Sequence, residues 1–251
     1  MYPNSAADRI QREKDYHDDR FSDETRTSQH KYYFAVSNAF DHYKDMVNEY
    51  SQNSDILEYG CSFGNNCIAL ADNAKSVTGI DISDVAISKA RENAVNGKKT
   101  NCKFFTMNAE HMTFSDESFD LVFGSGIIHH LNIESAVREV LRVLKPGGNF
   151  LFIEPLGGNP VFNIYRALTP RSRTVDEMPL RSNHLSYIQQ QTAACEIRYY
   201  GFTSLLSVPV QRFGISNLLR KILVEIDQLL FRIRIFQNMA WFSIIKGSKG
   251  E

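Results

Sequence analysis

The chain has 251 residues, 43% of them hydrophobic, which is enough to bury a full core as one α/β domain. Its 28 basic and 29 acidic residues leave a formal charge of -1. That balance excludes the long-range pull of a strongly basic nucleic-acid binder, so no nucleic-acid partner is expected.

The four cysteines, Cys61, Cys67, Cys102 and Cys195, form no C-x-x-C pair. A zinc site or redox motif therefore has no support, and no metal is expected. Met1 to Arg20 is polar, with no apolar core or small-residue cleavage site, and does not read as a secretion leader. No stretch approaches the ~18 uninterrupted apolar residues of a membrane span. The expectation is a soluble, cytoplasmic protein with reduced thiols.

Residues 1–31 are rich in charge and poor in aliphatics, and cannot build a core alone. They read either as disordered or as a helical flap laid on the domain. Lys31 to Tyr50 carries Tyr33, Phe34, Val36, Phe40, Tyr43 and Val47 at helical spacing. Residues 1–50 are thus an N-terminal helical flap, and 51–251 the main domain.

Strands and helices then alternate. Strands are expected at 55–59, 76–81, 102–107, 119–124 and 149–154. Helices are expected at 66–73, 85–96 and 133–144, the last ended by Lys145-Pro146-Gly147-Gly148. Such alternation predicts a doubly wound, mostly parallel sheet with right-handed crossovers.

After Pro155 the rhythm changes. Residues 155–184 hold Pro160, Pro170 and Pro179 without a clean period, and read as an inserted lid over the substrate. A helix is expected at 185–194, a strand pair or one bent strand at 197–208, a long amphipathic helix at 215–235 and a last strand at 239–246.

The most informative stretch is Glu58-Tyr59-Gly60-Cys61-Ser62-Phe63-Gly64. A strand delivers an acid, a tight turn follows, and a helix begins. Gly60 and Gly64 let the backbone turn sharply and let a ligand approach. The first crevice of an open α/β sheet is where a nucleotide-like ligand sits. The bland alternative is a plain strand–turn–helix. Asp81 ends the next strand, where its two oxygens could accept both hydroxyls of a ribose. It could equally cap the helix that starts near Ser83.

Five segments occur in one order: Glu58–Gly64, Ile80-Asp81-Ile82-Ser83, Asn108-Ala109-Glu110, Phe119-Asp120-Leu121-Val122 and Leu144-Lys145-Pro146-Gly147-Gly148. Together, over about residues 50–155, they resemble the class I S-adenosylmethionine-dependent methyltransferases. The resemblance implies a Rossmann-like seven-stranded fold, S-adenosylmethionine as methyl donor and S-adenosylhomocysteine as product. Glu58, Gly60, Cys61, Ser62 and Gly64 would surround its methionine and ribose. Asp81 would hold the ribose, and Ile82 the adenine face. Asn108 would meet the adenine edge by side chain and Ala109 by backbone. Ser125, Gly126 and Ile127 would lie along the sulfonium. One departure stands out: Ser62 occupies the family's usual second glycine. The Lys145–Gly148 turn is expected to be structural.

Methyl transfer needs a positioned nucleophile and sometimes a base. His129 and His130 follow the fourth strand and are candidate bases, the alternative being that they shape the loop. Glu154, ending the fifth strand, could face the crevice and bind substrate, or be a solvated strand-end acid. His184 is a weaker candidate. Arg166, Arg171, Arg173 and Arg181 could form an anion pocket or a solvated surface. Tyr16, His17, Tyr32 and Tyr33 could close over the cofactor, or pack a leading helix.

Residues 215–235 place Leu218, Leu219, Ile222, Ile226, Leu229, Leu230 and Ile233 at helical spacing, with Arg220, Lys221, Arg232 and Arg234 beside them. Such a stripe is more often core or a homodimer contact than a membrane-surface helix. The function expected is methylation of oxygen or nitrogen on a small molecule. Rival expectations are a lipid or lipid-linked sugar as acceptor, a nicotinamide-dependent oxidoreductase, or a non-catalytic cofactor-binding protein. The dinucleotide fingerprint is incomplete, since Gly60 and Gly64 form E-x-G-x-x-x-G rather than G-x-G-x-x-G.

Overall fold

The computed structural model describes residues 6–22, 33–169, 176–211 and 216–251. In chain order these form α1 (Ala6–Ser22), a short 3-10 turn (Phe34–Val36), α2 (Ser37–Ser51), β1 (Asp55–Tyr59), α3 (Asn65–Leu70), β2 (Ser76–Asp81), α4 (Asp84–Asn96), β3 (Cys102–Thr106), β4 (Phe119–Ser125), a 3-10 turn (Ile128–His130), α5 (Ile133–Val143) and β5 (Leu144–Pro155). Then come α6 (Pro160–Leu168), α7 (Ser182–Gln191), β6 (Ala194–Tyr200), a 3-10 turn (Thr203–Ser207), α8 (Ser216–Leu230), α9 (Arg234–Gln237) and β7 (Phe242–Ser248).

The strands form one seven-stranded sheet in the order β3-β2-β1-β4-β5-β7-β6. The pairs from β3 to β5 are parallel, and β7 runs antiparallel to both β5 and β6. The sheet is therefore mixed but mostly parallel, as the alternating pattern implies.

Burial explains the apolar runs of the central strands, Ile56-Leu57 in β1 and Leu121-Val122-Phe123 in β4. Ile56 packs with α2, α3 and α4 on one face, and its neighbour Leu57 with α5 and α7 on the other. Successive side chains point to opposite faces, so a strand covered on both sides needs apolar residues throughout. Helix α5 packs through Ala136, Val137, Val140 and Val143. The Lys145 turn lies at the amino edge of the sheet, where its ammonium binds the carboxylates of Asp55 and Asp120 and ties β1 to β4.

Apart from shifted element ends, such as β5 beginning at Leu144 rather than 149, the structure departs from the sequence reading in three places. Residues 197–208 are not one bent strand or a strand pair: β6 ends at Tyr200 and a 3-10 turn follows. Gly201 sits at φ +79, and the buried carboxylate of Asp227 accepts from the backbone of Phe202, Thr203 and Ser204, which pulls the chain out of the sheet. The helix expected over 215–235 ends at Leu230, with the side chain of Gln237 donating to the carbonyl of Phe231 beyond it. The segment 155–184 contains helix α6. Asn159 caps it by accepting from the N–H groups of Val161 and Phe162, and Pro160 occupies its first turn, where proline costs no hydrogen bond.

Candidate functional site at the carboxyl edge of the sheet

A crevice of about 340 Å³ opens where β1, β2 and β4 end. This is the edge at which an open α/β sheet leaves room between outgoing loops. Its floor comes from Glu58, Gly60, Cys61, Ser62, Asp81 and Ile82, one side from Met107, Asn108, Ala109 and Glu110, and the other from Ser125, Gly126, Ile127 and His130. Arg9, Ile10, Glu13 and His17 of α1 close the remaining side.

The turn after β1 is held open by backbone geometry. Gly60 has φ +75, and a Cβ there would press on the side chain of Ile127. Gly64 has φ +74 at the start of α3, and a Cβ there would collide with the ring of Phe104. Gly64 therefore serves helix packing and does not itself line the crevice. Ser62, which replaces a glycine of the resembled family, also adopts a left-handed φ of +49. A side chain is tolerated there at some cost, and the Ser62 N–H donates to the Asp81 carboxylate at 2.9 Å.

Two acids stand at adjacent strand tips. Asp81 accepts from the N–H of Ser62 through one oxygen and of Ser83 through the other, at 3.0 Å. Burial nonetheless pushes its carboxyl above the ordinary value. The Ser83 hydroxyl, not Asp81, caps α4, accepting from the Ala86 N–H at 3.1 Å. Glu58 is buried at 3% exposure and accepts from Asn66 Nδ2 at 2.7 Å and the Cys67 thiol at 2.9 Å. Burial dominates its environment and pushes its pKa up to about 7. Asn108 closes a local turn, its Oδ1 accepting from the Glu110 N–H at 2.9 Å, and the Ala109 carbonyl accepts from the Tyr59 hydroxyl.

The two adjacent histidines separate in role. His129 is buried and turned away from the crevice, and its Nδ1 lies 2.7 Å from Glu154. Glu154 has no exposed surface and also accepts from the N–H groups of Ile127 and Ile128, at 2.9 and 2.8 Å. It is not a solvated strand-end acid, and it does not line the crevice. It fixes the β4 loop from behind. His130 does line the crevice, with Nδ1 3.2 Å from Glu13 Oε2. Glu13 also approaches His17 Nε2 at 3.7 Å. Donor atoms of Glu13, His17 and His130 lie close enough to hold a cation.

Helix α1 is fastened over this edge at four points. Arg9 donates to the His130 carbonyl at 2.8 Å and pairs with the buried Glu110, which also accepts from the Asn132 N–H at 2.8 Å. Arg12 grips Asp176 with two hydrogen bonds of 2.9 and 3.0 Å. Lys14 pairs with Asp84, and Asp18 accepts from the Ser83 hydroxyl. Residues 1–31 therefore include an ordered helix. Arg9, Ile10 and Glu13 carry no site signal in the sequence, and Glu110 stands in the Asn108-Ala109-Glu110 segment without an assigned role. The charged run of α1 carries no sign of which surface it covers.

The remaining candidates lie elsewhere. His184 sits at the start of α7, where its Nδ1 accepts from the Arg181 N–H at 3.3 Å. Arg166 pairs with Glu177 at 2.7 Å. Arg181 lines a second cavity of about 450 Å³ with Arg234. Tyr33 packs against Phe40, Trp241 and Phe242, and Tyr16 against His17. Arg171, Arg173 and Tyr32 lie outside the described residues.

Residues 57–152 match the model of a family described as methyltransferase domain. The chain is 29% identical over 113 residues to sterol 4-C-methyltransferase strm-1 of Caenorhabditis elegans, covering 44% of this chain and 34% of that protein. It is 30% identical over 150 residues to the uncharacterized methyltransferase YcgJ of Bacillus subtilis (strain 168), covering 57% of each. The matches thus span between a third and three-fifths of these relatives. Among solved structures, geranyl diphosphate C-methyltransferase from Streptomyces coelicolor A3(2), in complex with Mg2+, geranyl diphosphate and S-adenosyl-L-homocysteine, superposes with TM-score 0.65 at 10% identity. The match covers 98% of this chain and 100% of that one.

Proposed function

We propose that this chain, whose residues 57–152 match a family described as methyltransferase domain, is an S-adenosylmethionine-dependent methyltransferase that carries a methyl group to an oxygen or nitrogen of a small molecule. One arrangement carries this reading. Glu58 and Asp81 stand at the tips of neighbouring strands with a left-handed turn between them, and a half-open crevice lies above.

The residues present fit the cofactor. Asp81, anchored by two backbone N–H groups, keeps further lone pairs for the two ribose hydroxyls. Gly60 leaves the backbone bare where a ligand must approach, and a Cβ at Gly126 would meet the His129 ring only at 3.6 Å. Glu58 offers a carboxylate to the cationic end of the methionine moiety. Asn108, Ala109 and Ile82 receive the base. When bound, the cofactor supplies an electrophilic methyl on a sulfonium, with a neutral thioether as leaving group.

The chain's own residues position and deprotonate. Helix α1 covers one side of the crevice, held there by Arg9 on Glu110 and on the His130 carbonyl. Glu154 sets the Ile127–His129 backbone, which would flank the sulfonium of a bound cofactor. The acceptor proton passes to His130 Nε2, the nitrogen not turned toward Glu13. Glu13 orients the ring and stabilises the imidazolium. Glu154 acts through His129 and is a positioning residue.

Incubation with methyl-labelled S-adenosylmethionine and fractionated small-molecule extracts tests this reading. Label should appear in a small product with equimolar S-adenosylhomocysteine. Failure of S-adenosylhomocysteine to bind in calorimetry would remove its foundation. A lipid or lipid-linked sugar as acceptor is the second reading. It draws on the exposed apolar side chains of α8 and on the sterol and geranyl diphosphate named in the relatives' activities.

A further inference from the structure

Helix α8 exposes a stripe of large apolar side chains that the fold does not use. Leu218 is 62% exposed, Ile222 50%, Ile226 39% and Leu229 58%, and Ile233 beyond the helix end is 54% exposed. The spacing of four, four and three residues within the helix keeps them on one side. From Leu218 to Leu229 the stripe runs about 16 Å along the axis.

The opposite side of the helix is what attaches it. Asp227 is 3% exposed and accepts from the backbone of Phe202, Thr203 and Ser204 and from the hydroxyls of Thr203 and Ser204. These bonds clamp α8 onto the turn after β6. The exposed stripe is therefore not an ill-packed inner face. A row of five exposed aliphatic side chains is a liability in water unless something covers it.

Charge decides what covers it. Lys221 stands at the start of the stripe, and Arg232 and Arg234 at its end, all exposed. None of the three makes an ion pair among the described residues. Glu225 is the exposed acid of residues 216–235, since Asp227 is buried and fully engaged. A second copy of this face is a poor partner. Antiparallel helices would set Lys221 against Arg232, and parallel helices would set each cation against itself. Both arrangements bring like charges together around a desolvated stripe. An anionic surface with an apolar interior satisfies both features at once: the side chains enter the acyl boundary and the cations stay with the headgroups.

We infer that residues 218–235 form a docking face for an anionic lipid bilayer, on which the protein lies without spanning the membrane. No helix among the described residues is long and apolar enough to cross one. This inference is independent of the methyl-transfer reading. A vesicle assay and a cofactor-binding assay fail separately.

The test is sedimentation of the full chain with vesicles of phosphatidylcholine alone and of phosphatidylcholine mixed with phosphatidylglycerol. The wild type should sediment with the mixed vesicles, and salt should weaken this. Ile222→Asp with Leu229→Asp should reduce binding at least tenfold, and Arg232→Ala with Arg234→Ala about tenfold. All four positions are exposed, so circular dichroism and S-adenosylhomocysteine affinity should match the wild type in both variants. Absence of wild-type sedimentation would overturn the inference, as would equal binding by the variants. So would a dimer, measured by light scattering, that Ile222→Asp with Leu229→Asp dissociates, because the stripe would then belong to a second copy.

Discussion

Glu154 and His129 form a buried pair: the carboxylate lies 2.7 Å from Nδ1 and also accepts the N–H groups of Ile127 and Ile128. One side chain at the end of β5 thus sets the conformation of the loop that follows β4. Replacing Glu154 by Ala would leave three buried donors without a partner. The expected loss is about 3 kcal/mol or more, a fall in Tm of roughly 6–12 °C for a chain of this size. Glu154→Gln, which keeps an acceptor for the two N–H groups, should lose markedly less. Thermal melts followed by circular dichroism decide this. A melt of Glu154→Ala equal to wild type would show that the loop is held by other means.

His130 should behave differently from its neighbour. It faces the crevice, and its ring is not bonded into the core. His130→Ala should leave Tm within about 2–4 °C of wild type and reduce turnover of an identified acceptor by ~10²-fold or more, with cofactor affinity nearly unchanged. Glu13→Gln should reduce turnover less, in kcat rather than KM, because it orients the imidazole. Unaltered turnover in His130→Ala would shift the chemistry to proximity alone.

Asp81 supplies the sharpest test of the cofactor site. Asp81→Asn keeps the size but removes the charge that strengthens hydrogen bonds to hydroxyls. S-adenosylhomocysteine affinity should fall about 10–100-fold by calorimetry, with the fold intact. Normal affinity would place the ribose elsewhere.

Glu58 predicts a pH dependence. Its pKa is raised to about 7 from the ordinary 4.5 because the carboxyl is buried. The folded state therefore holds this proton more tightly than the unfolded chain. The corresponding stability is fully present below about pH 4.5 and is lost as pH rises through about 7, a loss of about 3 kcal/mol. Urea midpoints of the cofactor-free protein should fall over this range and flatten in Glu58→Gln. A cationic ligand end beside Glu58 favours the carboxylate, so cofactor binding near pH 6 should release protons. Calorimetry in buffers of different ionisation enthalpy would detect it. A binding enthalpy independent of buffer would contradict the placement.

The positions of the central strands were legible because burial on both faces forces apolar runs. Asp55–Tyr59 and Ser76–Asp81 begin and end where the sequence pattern says. The β1 turn was legible because few residues tolerate its backbone. Gly60 and Gly64 sit at positive φ, and so does Ser62, where the resembled family would carry glycine. Helix α6 escaped notice because Pro160 reads as a breaker, although Asn159 before it makes it a helix start. The bent strand expected after Ile197 was wrong because the acid that turns the chain, Asp227, lies 25 residues from Phe202.

The sequence by itself determined the α/β alternation, the Glu58–Gly64 turn and the acid at the tip of β2, since each depends on local periodicity or backbone preference. Only the tertiary structure decided which histidine faces the crevice, because His129 and His130 differ in their distant partners, Glu154 and Glu13, and not in their neighbours in sequence. The same holds for α1. Its arginines acquire a surface to cover only when folding brings Glu110, the His130 carbonyl and Asp176 within hydrogen-bond reach, across 101, 121 and 164 residues of chain. Charge pairing over such separations leaves no period in the sequence.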